Sequence, residues 1–227
     1  MSTAVSTAVD EAIIGRRAVR GFLPDPVPEE LVRQLLATAS RAPSGSNTQP
    51  WRVSVVTGGT LRELGADLVA EHDRGTAPRP DYDYYPGQWR SPYLDRRREC
   101  GWGLYSAVGV ARGDRDAAHR QRARNYTFFG APVGVFVTVE RDMGRGSLLD
   151  AGMFVQNLML AARGHGLDSC PQVAVASWPD IVRRRLLIPE TEIVVCGVGI
   201  GWIDPDEPAN SLRTSRVPVE TFATFHR

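Results

Sequence analysis

Residues 16–22 read Arg-Arg-Ala-Val-Arg-Gly-Phe, and residues 42–51 read Ala-Pro-Ser-Gly-Ser-Asn-Thr-Gln-Pro-Trp. The first stretch places three guanidinium groups within five residues, after a short helix predicted over residues 5–15. In an extended chain, Arg16 and Arg20 share one face and Arg17 lies on the other. Guanidinium forks bind phosphate and other planar anions, although an isolated cluster of this kind is more often a solvated surface stretch.

The second stretch is a loop of small polar residues that leads into a predicted strand. It offers hydroxyl groups, a flexible glycine and an amide side chain, and these groups hydrogen-bond small ligands. Loops of this composition are equally common as plain turns. Neither stretch alone assigns a function, so their order and spacing must be considered together.

The composition excludes several classes of enzyme. The 27 basic residues are all arginine, because the 227-residue chain contains no lysine. A Schiff base to pyridoxal phosphate, a class-I aldolase and a Walker A phosphate loop all require a lysine. Any phosphate must therefore be held by arginine, backbone amides or hydroxyl groups. The 26 acidic residues leave a net charge of +1, which argues against a dedicated nucleic-acid or membrane-surface binder.

The remaining bulk features indicate an ordinary globular domain. Hydrophobic residues make up 42% of the chain, so most of it is expected to fold. Cys100, Cys170 and Cys196 have no short regular spacing and predict neither a disulfide framework nor a zinc site. The N-terminal residues lack the pattern of a secretory signal, and no run reaches the length of a membrane span. We expect a cytoplasmic protein.

The hydrophobic pattern predicts more helices than strands. Helices are expected over residues 5–15, 28–40, 61–72, 93–110, 117–126, 148–165 and 179–187, and strands over residues 51–57, 133–139 and 193–202. Residues 74–92 are rich in Pro, Gly, Tyr and Arg and predict a surface excursion, and a polar tail begins at residue 204. Well-separated strands among helices indicate a layered α+β or α/β domain, and we expect one domain over residues 1–227.

Several other motifs have a structural interpretation. Gly197-Val198-Gly199-Ile200-Gly201 lies inside a predicted strand with no helix after it, so it fails the context of a dinucleotide fingerprint. Glycines in a strand more often allow another backbone or a ligand to approach closely. The four histidines fit no metal-ligand spacing. Arg183-Arg184-Arg185 predicts a solvated helix face, and Trp102 and Phe154 are expected in the core.

Taken together, these segments resemble the nitroreductase family of flavoproteins. Arg16-Arg17-x-x-Arg20-x-Phe22, the helix start at Pro26-Val27-Pro28 and the run from Ala42 to Trp51 have the order and spacing of that family. The likeness continues through three further segments, Phe129-Gly130-Ala131-Pro132, Gly166-Leu167-Asp168 and Arg216-Val217-Pro218. The insertion rich in Tyr and Pro makes the chain most similar to the bacterial branch that reduces nitroaromatic compounds.

The resemblance implies an α+β sandwich with a central, mostly antiparallel sheet flanked by helices, in an intertwined homodimer with two FMN molecules at its interface. By the family motif, FMN is held by four groups of residues, namely Arg16, Arg17, Ala18 and Arg20 of one chain, Pro43, Ser44, Gly45 and Asn47 of its partner, Pro171, Gln172, Val173 and Ala174, and the pair Arg213 and Arg216. The third group would face flavin N5 with backbone amides, and the fourth would hold the phosphate. No catalytic side chain and no metal is implied, since flavin N5 carries the chemistry. Ala18 stands where the family often has a polar residue, so one flavin contact is expected to be missing.

The activity implied by the resemblance is reduction of nitroaromatic or quinone-like substrates by a ping-pong two-electron mechanism, with NADPH or NADH as reductant. Specificity is expected from residues 74–98 and 125–130, with Tyr93 and Phe128 stacking on a flat substrate, while the C-terminal arm 204–227 embraces the partner. Three alternatives stay open: a dedicated biosynthetic flavin oxidase or dehydrogenase, a flavin-fragmenting relative, and a flavin-binding redox module without turnover. A reductive dehalogenase is less favoured, because that relative uses a lid lysine.

Overall fold

The computed structural model describes residues 8–226, and its centre is a four-stranded antiparallel sheet. The strands are β1 (Trp51–Thr57), β2 (Val133–Glu140), β3 (Asp168–Gln172) and β4 (Glu192–Gly201), in the order β1-β2-β4-β3. The α-helices of the described residues are α1 (Ala8–Gly15), α2 (Glu29–Ala39), α3 (Gly58–Asp73), α4 (Tyr93–Ala107), α5 (Arg115–Ala123), α6 (Gly146–Gly164) and α7 (Pro179–Leu186). This is the α+β arrangement with a central antiparallel sheet that the sequence predicts.

Helices cover both faces of the sheet. Along β2, Val133, Val135 and Val137 point into a core formed with α2 and α6. Phe136 points the other way, into a core formed with α3 and α7. Because both faces are dry, β2 has a continuous apolar sequence instead of an alternating one. The two central strands are β2 and β4, so β1 and β3 form the edges.

The sequence predicts three of the four strands, each to within one residue at either end. Strand β3 is the one that it misses, because Asp168-Ser169-Cys170-Pro171-Gln172 shows no apolar alternation. Pro171 has no N–H to donate, and proline in sheets is confined mainly to edge strands. The position of β3 at the edge agrees with that restriction.

The helices follow the prediction with their ends shifted by a few residues. Helix α2 begins directly after Pro28 with Glu29 and Glu30 in its first turn, where acidic residues favour the positive end of the helix dipole. Helix α1 begins at Ala8, and the first three residues of the predicted helix 5–15 lie outside the described residues. The predicted helix 117–126 lies earlier in the structure, at α5.

The excursion at residues 74–92 is tied to the sheet by a partly buried ion cluster, which we call the anchor cluster. Its members are Arg183 and Arg141, which both pair with Asp81. The Arg183 guanidinium also donates to the backbone oxygen of Glu192 at 2.7 Å. The prediction that Arg183 lies on a solvated face is therefore wrong. It is buried because the carboxylate of Asp81 reaches it from a distant segment.

Helix α4 lies outside both cores. None of its residues is buried, and Trp102 is 59% exposed. The prediction that Trp102 belongs to the core is therefore wrong, whereas Phe154 on α6 lies in the core as expected. Within residues 8–226, no helix combines the length and the apolar character that a membrane span requires.

The glycines of β4 let the segment before β2 approach the sheet. A Cβ atom on Gly197 would lie 2.6 Å from Val175, and one on Gly201 would lie 2.6 Å from Pro132. The ring of Phe128 lies over Gly197, 3.1 Å from the position of that absent Cβ. Close approach of another chain segment, predicted as the role of these glycines, is confirmed.

Candidate functional site

The arginine motif runs beside the free edge of β3. The backbone N–H of Val19 donates to the Ser169 oxygen at 3.0 Å, and Ala18 forms a parallel bridge with the same residue. Further along, the Leu23 N–H donates to the Trp202 oxygen at 2.9 Å. The segment is extended, as the sequence predicts, because it pairs with an edge strand whose outer groups are otherwise free.

Arg17 belongs to a group of guanidiniums around one carboxylate, which we call the site cluster. Arg163 pairs with Asp168 at 3.0 Å, and the Asp168 side chain is almost fully buried. The pKa of Arg17 is lowered mainly by burial and next by the positive charge of Arg213, with the charge of Asp168 acting against them. The Nε of Arg17 is buried and has no hydrogen-bond partner in residues 8–226. Arg17 therefore faces two other cations and one carboxylate, so the cluster is suited to bind a further anion.

Contacts with the arginine motif hold the C-terminal tail against it. The Arg20 N–H donates to Asn210 Oδ1 at 2.7 Å, and Asn210 Nδ2 donates to the Gly21 oxygen at 2.9 Å. A Cβ atom on Gly21 would lie 2.4 Å from the Cβ of Glu207, so glycine is required where the tail crosses. Glu207 accepts from Arg124 at 2.6 Å, and this bond lowers the pKa of Glu207.

The tail arginines lie just beyond this attachment. Arg213 donates to the Asn210 oxygen at 2.8 Å, and Arg216 donates to the Thr214 hydroxyl at the same distance. Both side chains bond only to their own stretch of chain in residues 8–226 and form no ion pair there. Their charge is therefore free to meet a ligand.

Residues 171–174 leave several hydrogen-bonding groups free. Gln172 is buried, and its Nε2 donates to the Asn125 oxygen at 2.6 Å. Its Oε1 is also buried and has no partner within residues 8–226. Among the hydrogen bonds of the described residues, none uses the backbone N–H of Val173 or Ala174. Unpaired groups of this kind at the end of a strand are ready to bind a polar ligand.

The loop at residues 43–47 has a strained conformation. Ser46, Asn47 and Gln49 have φ angles of 48°, 59° and 49°, in the left-handed region that non-glycine residues rarely adopt. The Ser44 hydroxyl accepts from the Gln49 N–H at 2.9 Å. The Gly45 N–H donates to Asp150 Oδ2 on α6 at 3.3 Å. These two contacts hold the loop in place and leave the Asn47 side chain exposed.

The predicted cofactor residues therefore fall into two separate groups within one chain. The loop rests on Asp150, near the start of α6, and the site cluster contains Arg163, near its end. The rise of an α-helix places those two residues about 20 Å apart. Residues 16–20 run beside β3, which leads into residues 171–174, and Asn210 holds the start of the tail against Arg20. Residues 43–47, in contrast, lie at the other end of α6.

The two predicted substrate residues have opposite environments. Tyr93 is 53% exposed at the start of α4, with the guanidiniums of Arg90 and Arg96 5.9 and 5.8 Å from its ring centroid. Phe128 is fully buried against the sheet and packs edge-on against Phe136. It presents no surface to a ligand, so the prediction that Phe128 stacks on substrate is wrong. Its aromatic character serves the core, in the space that the strand glycines leave.

Sequence reasoning missed several residues that build the site. Arg163 and Asp168 form the ion pair at its centre, and Asn210 attaches the tail. The motif Gly166-Leu167-Asp168 was a signal for Asp168. Gly166 ends α6 with a positive φ angle, so it fixes the direction in which the chain leaves the helix toward Asp168. Arg163 and Asn210 carried no such signal. The partner of Arg163 lies beyond the end of α6, and the partner of Asn210 is distant in sequence.

Comparison with known proteins identifies relatives along nearly the whole chain. The family model described as the nitroreductase family matches residues 13–202. The 4-nitrobenzoate reductase of Nocardioides sp. (strain LMS-CY) is 40% identical over 221 residues, which cover 96% of this chain and 90% of that protein. The chloronitrobenzene nitroreductase of Comamonas testosteroni is 40% identical over 222 residues, 97% of each chain. The crystal structure of the FMN-dependent nitroreductase NfnB from Mycobacterium smegmatis in complex with NADPH matches with a TM-score of 0.91 at 35% identity, covering 97% of this chain and 98% of that one.

Proposed function

The chain belongs to the nitroreductase family, and we propose on that basis that it is an FMN-dependent oxidoreductase that uses NAD(P)H to reduce nitroaromatic or quinone-like compounds. The observation that carries the proposal is the charge excess of the site cluster, where Arg17 meets two further guanidiniums, those of Arg163 and Arg213, but only one carboxylate, that of Asp168. A bound anion stabilises such an arrangement, and the FMN phosphate is a dianion.

The chain offers the groups that FMN requires. Arg213 and Arg216 would hold the phosphate, because they are exposed cations on a tail that is fixed beside the arginine motif. The free N–H groups of Val173 and Ala174 would face flavin N5, and the unpartnered Oε1 of Gln172 lies in the same segment. The absence of lysine leaves the phosphate to guanidinium groups alone.

In this reaction the residues of the chain would bind FMN and position the substrate against it. Bound FMN supplies two-electron transfer from NAD(P)H to the substrate. Arg16 or Arg17 would lie near N1 and O2 of the bound ring, where a guanidinium would stabilise negative charge. No side-chain nucleophile is needed. Burial raises the pKa of the Cys170 thiol in β3 to about 11, so that thiol stays protonated at neutral pH.

We infer that the working form is a homodimer, because the two groups of cofactor residues lie at opposite ends of α6. A two-fold axis across the middle of α6 would bring the 43–47 loop of one chain to the site cluster of its partner. Helix α6 also exposes Leu149 and Gly152 at helical spacing, beside the half-buried Met153. Leu149 is 70% exposed in the single chain, so the dimer would remove apolar surface from water.

Helix α1 and the C-terminal arm offer further apolar surface for the same dimer. Ile14 is 80% exposed, and Phe222 and Phe225 of the arm are exposed to a similar degree. A groove of about 840 Å³ lies beside the edge strand β1 and is lined in part by Val27 and Val55. We propose that the arm of the partner covers this groove, which would also protect the open edge of the sheet.

The substrate class follows from the relatives and from the excursion. By their names, the two 40% identical relatives act on 4-nitrobenzoate and on chloronitrobenzene. Tyr93, which follows the excursion at the start of α4, offers an exposed ring with guanidiniums 5.9 and 5.8 Å from its centroid, which suits a flat, electron-poor aromatic compound. The NADPH complex of NfnB supports NADPH as reductant, with NADH as the alternative. We further propose that the single domain 1–227 works in the cytoplasm.

The purified protein tests this proposal directly. We expect a yellow protein with about one FMN per chain that oxidises NADPH or NADH when a nitroaromatic compound is added. A colourless protein that binds no FMN on reconstitution and oxidises no NAD(P)H would refute the assignment. Intact FMN after repeated reduction in air would exclude the flavin-fragmenting alternative, and steady turnover would exclude the non-catalytic module.

A pair of arginine variants locates the phosphate. Arg216→Ala should lose most of its FMN during gel filtration, because a charge-assisted contact to the phosphate is removed. Arg184→Ala is the matched control, since Arg184 is exposed on α7, away from the tail and from the proposed dimer groove. Unchanged flavin content in Arg216→Ala would show that the phosphate is held elsewhere. Sedimentation of a flavin-loaded monomer would contradict the dimer.

A further inference from the structure

Two histidines and an aspartate that are distant in sequence meet on the side of α3 and α5. His72 and Asp73 end α3, and His119 lies on α5. The two imidazole rings stack with centroids 4.1 Å apart and planes inclined by 14°. His119 Nε2 lies 2.7 Å from Asp73 Oδ1. The three side chains each offer a ligand atom within 4.8 Å of the other two. Histidine spacing along the sequence predicts no such group.

The hydrogen bonds around the group prepare His72 to bind a cation. Its Nε2 lies 3.3 Å from the backbone oxygen of His119. A backbone oxygen can only accept, so Nε2 carries the proton and the lone pair is on Nδ1. Metal-ligating histidines are usually fixed in this way, by donating the other ring N–H to a carbonyl or a carboxylate. The ring of Tyr126, with its centroid 5.2 Å from that of His72, covers it from the protein side.

We propose that His72, Asp73 and His119 form a binding site for a divalent transition metal of the Zn²⁺ class. Two imidazoles and one carboxylate are the ligand types that Zn²⁺ prefers, and three protein ligands leave a fourth position for water. The ion takes the place of the proton between His119 and Asp73, so the proton of His119 moves to Nδ1. The exposed side chain of Asp73 gives the ion access from solvent.

The metal would act as a structural link between α3 and α5. Helix α5 leads to Asn125, whose backbone oxygen accepts the hydrogen bond from Gln172. Fixing α5 to α3 therefore stabilises the chain on the outer side of residues 171–174. This role needs neither FMN nor turnover, so it stands or falls independently of the proposed function.

Calorimetric titration of Zn²⁺ into the flavin-loaded protein tests the site. We expect about one ion per chain for the wild type. His119→Asn and Asp73→Asn should bind at least about tenfold more weakly, since each removes a ligand. His165→Asn is the matched control, because His165 is exposed at the end of α6, away from the three ligands, and it should bind as the wild type does.

Thermal unfolding gives a second readout. Zn²⁺ should raise the melting temperature of the wild type and of His165→Asn, and should leave that of Asp73→Asn unchanged. Asp73 is exposed, so this variant keeps the test valid if a histidine variant fails to fold. Absence of Zn²⁺ binding by the wild type overturns the proposal, and so does wild-type affinity for Zn²⁺ in both Asp73→Asn and His119→Asn.

Discussion

The two arginine clusters of the protein differ in how their charge is balanced. In the anchor cluster, Arg183 pairs with Asp81 and Asp180 and also donates to the Glu192 oxygen. In the site cluster, Arg17 has neither an ion pair nor a side-chain hydrogen bond in residues 8–226, and its Nε is buried. Both clusters use the same side chain in partly buried surroundings. The Nε of Arg183 is likewise buried without a hydrogen-bond partner in residues 8–226, so the difference lies in the ion pairs. The paired guanidinium holds the fold together, and the unpaired one retains the capacity to bind a ligand.

The largest effect is expected where the anchor cluster is broken. Arg183→Ala leaves the carboxylate of Asp81 buried with less compensation and should lower the free energy of unfolding by about 3–5 kcal/mol. Urea unfolding measures the loss. Arg184→Ala on the same helix is the control, because Arg184 is exposed, and it should change stability by less than about 0.5 kcal/mol. Equal stability of the two variants would remove the distinction between the clusters.

Removing a guanidinium from the site cluster should affect binding more than folding. Arg17→Ala should raise the dissociation constant for FMN by about 10- to 100-fold, the range expected for a hydrogen bond to a charged group. Its unfolding free energy should stay near that of the wild type, because Arg17 has no partner to lose. Flavin fluorescence titration and urea unfolding measure the two quantities. If Arg17→Ala were destabilised and still bound FMN with normal affinity, Arg17 would stabilise the fold as Arg183 does.

The separation of the site into two halves can be tested by mixing variants. Asp150→Ala should loosen the loop that it holds through Gly45, and we expect about a tenfold loss of FMN affinity. When chains with Arg17→Ala are mixed with chains carrying Asp150→Ala and are allowed to exchange, each mixed dimer regains one intact site. Random exchange should then restore about a quarter of all sites. No recovery would mean that each site is formed within one chain.

The smallest effect concerns Glu207, which connects the tail to the arginine motif. The hydrogen bond from Arg124 lowers the pKa of Glu207 in the folded protein. The unfolded chain therefore binds the proton more readily, so this stabilisation is present above the ordinary pKa of glutamate and is lost as the pH falls through the folded value. Between pH 6 and pH 3, the wild type should therefore lose more stability than Glu207→Gln. Parallel pH profiles of the two proteins would contradict this.

Sequence reasoning recovered the parts of the fold that have local causes. β1 follows from its own alternating residues, and α2 follows from Pro28 with the two glutamates after it. The extended conformation of residues 16–20 was also predictable, because the helix before it ends at Gly15. β3 was missed, since an edge strand that contains Pro171 satisfies its backbone through β4 and not through a local pattern.

The errors at the site have a common physical origin. Phe128 looked like a stacking residue, but the strand glycines make space for its ring in the core. Arg183 looked solvated, but Asp81 reaches it from a position 102 residues away. His72 and His119 looked scattered, although the fold stacks their rings. In each case the environment of a side chain was set by a distant segment, which a single sequence does not reveal.

Helix α6 supports the 43–47 loop at one end and the site cluster at the other. This restricts where residues can be inserted or deleted. One residue inserted between Asp150 and Arg163 would turn one support by about 100° relative to the other and move it by about 1.5 Å. Both halves of every site in a dimer would lose their alignment at once. Residues 83–92 of the excursion follow the anchor at Asp81 and have no regular helix or strand, so insertions and deletions there should be accepted far more readily. New substrate preferences can therefore arise by changes in loop length, while the spacing set by α6 stays constant.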